Sequence, residues 1–112
     1  MELSLEINPL QVKGLLEDGS ATAPVRLVDV REPFENEVCR IEGSELIPMN
    51  SIPANLAALD SGDGLIIVVC HHGVRSLSVV NWLRNQGVEN CQSMAGGIDR
   101  WSREVDPGVP RY

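Results

Sequence analysis

Short apolar blocks alternate with short amphipathic segments along this chain, and turn residues separate them. Five blocks predict strands. Leu3 to Ile7 alternates weakly, as an edge strand does. Leu27-Val28-Asp29-Val30 and Leu46-Ile47-Pro48 are short strand candidates, and Asn90 to Met94 supplies another. Leu65 to Val69 is apolar at every position, the pattern of a strand covered on both faces at the centre of a parallel sheet.

The segments between them carry helix signals. Asn8-Pro9 is an N-cap followed by proline in the first turn. Val12, Leu15 and Leu16 then share a face, Asp18-Gly19 ends the helix, and residues 18–24 read as a loop. Glu32-Pro33-Phe34-Glu35 starts a short helix, and Ser51 to Leu59 predicts another, with Pro53 near its start and Leu56 and Leu59 facing in. The clearest helix runs from Ser76, its expected N-cap, to Gln86. Val79, Val80 and Leu83 form its stripe, and Gly87 follows it. Gly96-Gly97 turns into a last helix bearing Ile98 and Trp101, and the tail from Val105 to Tyr112, with two prolines, reads as irregular. Strands alternating with helices imply an α/β fold with an open, mostly parallel sheet. Such sheets bind ligands beyond the carboxyl ends of their strands, which is where Cys70 falls.

At 112 residues the chain is expected to form one domain, residues 1–112, with a single core. Its 43% hydrophobic content argues against disorder. The longest uncharged apolar run, Leu65 to Cys70, is too short to span a bilayer. Met1-Glu2-Leu3-Ser4 lacks the basic and apolar regions of a signal peptide, so a cytoplasmic location is expected. A formal charge of −7 disfavours nucleic acid and membrane as partners, and any anionic substrate must be drawn in by a local cation. Cys39, Cys70 and Cys91 cannot all pair within one chain, and none sits in a CxxC or zinc-type spacing.

The chemistry concentrates in Cys70-His71-His72-Gly73-Val74-Arg75-Ser76. A cysteine ending a strand is often just a small buried apolar residue. These neighbours make a poor core and a good electropositive loop. The strand fixes the sulfur, the loop turns backbone N–H groups inward, and the following helix adds the positive end of its dipole, so an anionic sulfur is favoured. Cys70 is therefore the candidate nucleophile. Gly73 gives the backbone access to a left-handed conformation. Arg75 and a partly protonated His71 or His72 are placed to attract an anion. Asp29 and Arg31 read as a supporting polar network at a strand end, Trp82 and Trp101 as packing anchors, and Cys39 and Cys91 as buried or incidental.

Cys70 to Ser76 after a β-branched strand resembles the active-site loop of rhodanese-like sulfurtransferases. Leu27 to Glu35, Ile41-Glu42-Gly43-Ser44 with Leu46-Ile47-Pro48, and Met94 to Trp101 resemble that family's other signatures, in the family's order. The second departs from the usual His-Ile-Pro-Gly-Ala, with Arg40, Glu42 and Ser44 in place of its His, Pro and Ala. The ending from Trp101 to Tyr112 is similar to rhodanese domains fused to enzymes that adenylate sulfur carriers. The resemblance implies a five-stranded sheet flanked by helices on both faces, and a two-step reaction. The Cys70 thiolate takes the outer sulfur of a donor such as thiosulfate, releasing sulfite. The resulting persulfide then gives its sulfur to a thiol or cyanide. The loop backbone from His71 to Ser76 holds the anionic sulfur, and no metal or organic cofactor is required. The alternative function is a relay that takes or passes persulfide sulfur through a protein partner. A phosphatase is the remote third reading. Its loop places five residues between Cys and Arg, whereas four separate Cys70 from Arg75, a cradle sized for one sulfur atom.

Overall fold

The computed structural model describes residues 3–18, 25–60, 62 and 64–112. Five strands, β1 (Glu6–Ile7), β2 (Arg26–Asp29), β3 (Glu45–Leu46), β4 (Ile66–Val69) and β5 (Cys91–Met94), form one sheet in the order β1-β5-β4-β2-β3. All of its pairings are parallel. β4 lies at the centre for the reason its sequence suggests. Ile66, Ile67, Val68 and Val69 are each at most 2% exposed, so this strand has no face that can meet water.

Alternation along β4 sorts its side chains to two sides. Ile66, Val68 and Cys70 pack with Val79, Val80 and Leu83 of α4 (Val74–Asn85), and with Leu59 of α3 (Leu56–Leu59). Ile67 and Val69 pack on the other face with Val12 of α1 (Pro9–Glu17) and with Ile98 and Trp101 of α5 (Gly97–Glu104). Cys70 thus emerges on the α4 side by strand parity. The remaining helix, α2 (Pro33–Val38), follows β2 and begins with Pro33 behind the N-cap Glu32. No helix among the described residues is long and apolar enough to cross a membrane.

Several local expectations shift. The predicted α1 stripe is narrower, because Val12 is buried while Leu16 is 41% exposed. Asn8 does cap α1, through a reciprocal pair of bonds with Gln11. The expected helix over Ser51 to Leu59 breaks into two 3-10 turns, Met49–Ser51 and Pro53–Asn55, before α3. Pro53 has no N–H to continue an α-helical ladder, so the turn before it cannot propagate. The strand expected at Leu46 to Pro48 is Glu45–Leu46, although pairing continues when Ile47 and Met49 donate to the carbonyls of Asp29 and Val30. Of the expected loop 18–24, residues 19–24 lie outside the described set. The tail is irregular as expected, yet Val109 is buried and accepts a hydrogen bond from the Ser102 hydroxyl.

Ile67, 0% exposed, tests the centre of this core. Ile67→Ala should cost about 2–5 kcal/mol through lost transfer energy and a residual cavity. Urea unfolding should show a lower midpoint with an unchanged slope.

Candidate active site

Cys70 is the first residue beyond β4 and is 1% exposed. Its Sγ accepts the N–H of Gly73 at 3.0 Å and the N–H of Ser76 at 3.3 Å. As a thiol it donates to Ser76 Oγ at 3.3 Å. Ser76 Oγ in turn donates to the Gly73 carbonyl at 3.2 Å and lies 2.7 Å from Ser93 Oγ on β5. A serine hydroxyl carries one proton and two lone pairs. When Cys70 is a thiolate, the Ser76 proton is free to turn toward sulfur while Ser93 donates to Ser76. The sulfur therefore faces two backbone donors, one hydroxyl and the N-terminus of α4.

Ser76 is not the N-cap that its sequence suggests. Gly73 caps α4 with φ 99°, and Ser76 is the third helical residue, 0% exposed. The glycine's positive φ turns the chain into the helix early enough to place Ser76 beneath the sulfur rather than ahead of the first turn.

The loop's direction is imposed by the β5–α5 turn. The N–H of Ile98 bonds the Cys70 carbonyl at 2.8 Å, and the N–H of Asp99 bonds the His71 carbonyl at 3.1 Å. Those bonds anchor the start of the loop on α5, and further along it the N–H groups of Gly73 and Ser76 point at Sγ. The contact with α5 needs Gly97. A Cβ there would stand 2.4 Å from both the Cys70 and the His71 carbonyl oxygens, and its φ is 60°.

Electrostatics at the rim differ from the sequence reading, which gives Arg75 to an incoming anion. The structure gives the Arg75 guanidinium to Glu35, Nη1 to Oε1 at 2.7 Å and Nη2 to Oε2 at 2.9 Å. Glu35 also accepts the Glu32 N–H at 3.1 Å and the Tyr112 hydroxyl at 2.7 Å. The bonds from Arg75, aided by those from Tyr112 and Glu32, outweigh burial and hold the Glu35 carboxyl down at about 2. Tyr112 accepts from Arg31 at 2.9 Å, and burial is the first cause that pushes its phenol up to about 12. Arg31, 0% exposed, forms a buried pair with Asp29 and donates to the Cys39 carbonyl at 2.7 Å. Asp29 and Arg31 make the polar network expected of them, and they reach the loop through Tyr112 and Glu35. The ring of His71 is stacked between His72 at 3.9 Å and Tyr112 at 3.8 Å. Burial first, and the neighbouring His72 second, lower its pKa and favour the neutral ring.

A family model described as Rhodanese-like domain matches residues 8–104. The chain belongs to the rhodanese-like family. The chain is similar, at 37% identity over 90% of its length and 86% of the relative's, to the thiosulfate sulfurtransferase GlpE of Pseudomonas aeruginosa. It is 32% identical to the adenylyltransferase and sulfurtransferase MOCS3-2 of Zea mays over 97% of the chain, but 23% of that protein. Several curated relatives are longer in this way, with the chain spanning 23% to 38% of their length. A solved rhodanese-like domain protein from Staphylococcus aureus superposes with a TM-score of 0.78 at 30% identity, covering 100% of this chain and 99% of that one.

Within this rhodanese-like site, the predicted loop residues are together, in unequal roles. Gly73 and Ser76 touch the sulfur, Arg75 and His71 hold the loop from outside, His72 is exposed, and Val74 is 75% exposed. Cys39 and Cys91 are buried, and burial pushes the Cys91 thiol up. Trp101 is buried and Trp82 half-buried, each within a core cluster. His71, His72 and Asp99 bring one ligand atom each within 4.8 Å of one another, but Asp99 is already bonded by Arg103 and Arg111. Sequence reasoning missed Ser93, Tyr112 and the partnership of Glu35 with Arg75. Ser93 had one signal, a small polar residue in a buried strand.

Two measurements test this geometry. Gly97→Ala should abolish turnover and destabilise the fold by about 1–3 kcal/mol, as strain at a positive-φ site and overpacking do. Thermal melting and activity should fall together, and a variant with native turnover would refute the clamp. The second is acid stability. Glu35 has its carboxyl at about 2 when folded against an ordinary 4.5, so the unfolded chain binds more protons between those values. The contribution is complete above about pH 4.5 and is lost as pH falls toward about 2. In denaturant titrations, Glu35→Gln should be less stable than wild type at neutral pH and should lose less stability on acidification.

Proposed function

We propose that the chain is a sulfurtransferase, acting as one domain, that moves sulfane sulfur through a persulfide on Cys70. The observation that carries this is the placing of Sγ at the focus of the Gly73 and Ser76 amides and the Ser76 hydroxyl. The thiolate attacks the outer sulfur of thiosulfate or of a persulfide. The new Sγ–S bond forms as the donor's S–S bond breaks, and the electron pair leaves on sulfite or on the donor thiolate. The terminal sulfur is anionic, and a nest of backbone N–H groups suits one such atom. A thiol or cyanide acceptor then takes that sulfur and restores the Cys70 thiolate. Within this reading Asp29, Arg31, Glu35 and Tyr112 support the loop, and Arg75 braces it. A reducing compartment such as the cytoplasm suits a reactive free thiol.

A second reading, transfer to or from a protein partner, has its own support. The likeness to an adenylyltransferase and sulfurtransferase spans 97% of this chain. Phe34 and Val74, 65% and 75% exposed, adjoin Glu35 and Arg75 in sequence and leave apolar surface beside the rim.

Intact mass after incubation with a sulfur donor should show one added sulfur atom, mapped to Cys70 and removed by a thiol reductant. Cys70→Ser should neither gain it nor turn over, since a hydroxyl forms no persulfide. Retained activity in that variant would sink the proposal.

A further inference from the structure

We infer that Glu35 sets donor choice: by occupying the Arg75 guanidinium it tunes the site to a cysteine-borne persulfide over the dianion thiosulfate. This rests on the sulfurtransferase reading above and narrows its substrate class.

Cys70 reacts as an anion, and thiosulfate carries two negative charges to it. The chain itself carries −7. A dianion therefore needs an uncommitted cation at the rim. Arg75 is the loop's own arginine, and both of its terminal nitrogens are on Glu35. That carboxylate is 7% exposed and fixed from three sides, by Arg75, the Glu32 N–H and the Tyr112 hydroxyl. It has no rotation that frees the guanidinium without stranding its own oxygens. The other guanidinium groups of the elements around the loop are also held, Arg84 at the far end of α4 by the carbonyls of Leu3, Ser4 and Cys91. Arg31 is on Asp29, Arg100 on Glu104, and Arg103 on Asp99, with Arg111 from the tail also on Asp99. His71, between two rings, favours its neutral form.

What remains in contact with the sulfur is a cradle of uncharged donors. The amides of Gly73 and Ser76 favour one anionic sulfur but do not offset a second charge. A cysteine persulfide meets this cradle better. Its reacting sulfur can arrive protonated, as R–S–SH, and its charge at that end is at most single. The thiolate forms Sγ–S, the donor S–S bond breaks, and the pair departs on the cysteine thiolate, with no external oxidant. The exposed apolar side chains of Phe34 and Val74 also suit an organic carrier more than an inorganic dianion.

The test uses the full chain with cysteine persulfide and thiosulfate as alternative donors and cyanide as acceptor, from low to physiological ionic strength. Wild type should have the higher kcat/KM with cysteine persulfide. Its kcat/KM for thiosulfate should stay level or rise with salt, because screening relieves repulsion from an acidic chain. Glu35→Gln removes the charge and keeps the size of the side chain. It should raise the ratio of thiosulfate to persulfide kcat/KM about fivefold through a lower thiosulfate KM, the scale of one partly exposed charge. Its thiosulfate rate should then fall with salt. A folded Glu35→Gln with an unchanged ratio would overturn the inference. A wild-type thiosulfate rate that falls steeply with salt would do so too, and this arm stands even if the variant does not fold. If neither donor leaves sulfur on Cys70, the sulfurtransferase reading fails first.

Discussion

Two hydrogen bonds decide which way the loop after β4 faces. The N–H groups of Ile98 and Asp99, at the start of α5, take the carbonyls of Cys70 and His71. Holding those two carbonyls fixes the first two peptides of the loop against α5, and the chain then turns at Gly73, φ 99°, into α4. A loop of four residues between Cys70 and Arg75 has little freedom to turn back. The clamp works only at backbone contact distance, which is why a side chain cannot stand at Gly97. What the site offers an anionic sulfur is built on that anchor and on the turn at Gly73. The amides of Gly73 and Ser76 converge on Sγ, and the axis of α4 begins beneath it.

A second network keeps the outside of the loop still. Asp29, Arg31, Tyr112, Glu35 and Arg75 alternate in sign or bridge through the phenol, and the four charges sum to zero. Buried charges are tolerable on these terms, each with a partner and its hydrogen bonds filled. The network also ties three distant parts of the chain together. β2 and α2 with the turn between them supply Asp29, Arg31 and Glu35, α4 supplies Arg75, and the tail supplies Tyr112. The last of these stacks its ring on His71, next to Cys70. The loop is thus gripped from inside by α5 and from outside by this chain of charges.

The family relation and the geometry answer different questions. Membership of the rhodanese-like family, with a matched region from residue 8 to 104, accounts for the sheet order and the place of the cysteine. It does not by itself say which charges face the donor. That depends on how Glu35 and Arg75 meet across two elements, and on Tyr112, which lies beyond the matched region.

Features that depend on neighbouring residues could be read from the chain. The unbroken apolar run of β4 put that strand at the sheet's centre, Asn8 and Pro9 started α1, and Gly87 marked the end of α4. The placing of Cys70 at a strand end, before a glycine and a helix N-terminus, was legible because strand, loop and helix are consecutive in the chain. Local rules failed where a residue had two possible partners. Ser76 carries a cap residue's chemistry, but Gly73 took the cap and tertiary packing turned the serine to the sulfur. Contacts between distant residues were decided only by the tertiary structure. Arg75 meets Glu35 across 40 positions, and Tyr112 meets Glu35 across 77. Nothing in the spacing of such residues encodes the contact, because it arises when separate helices and a tail pack onto one sheet.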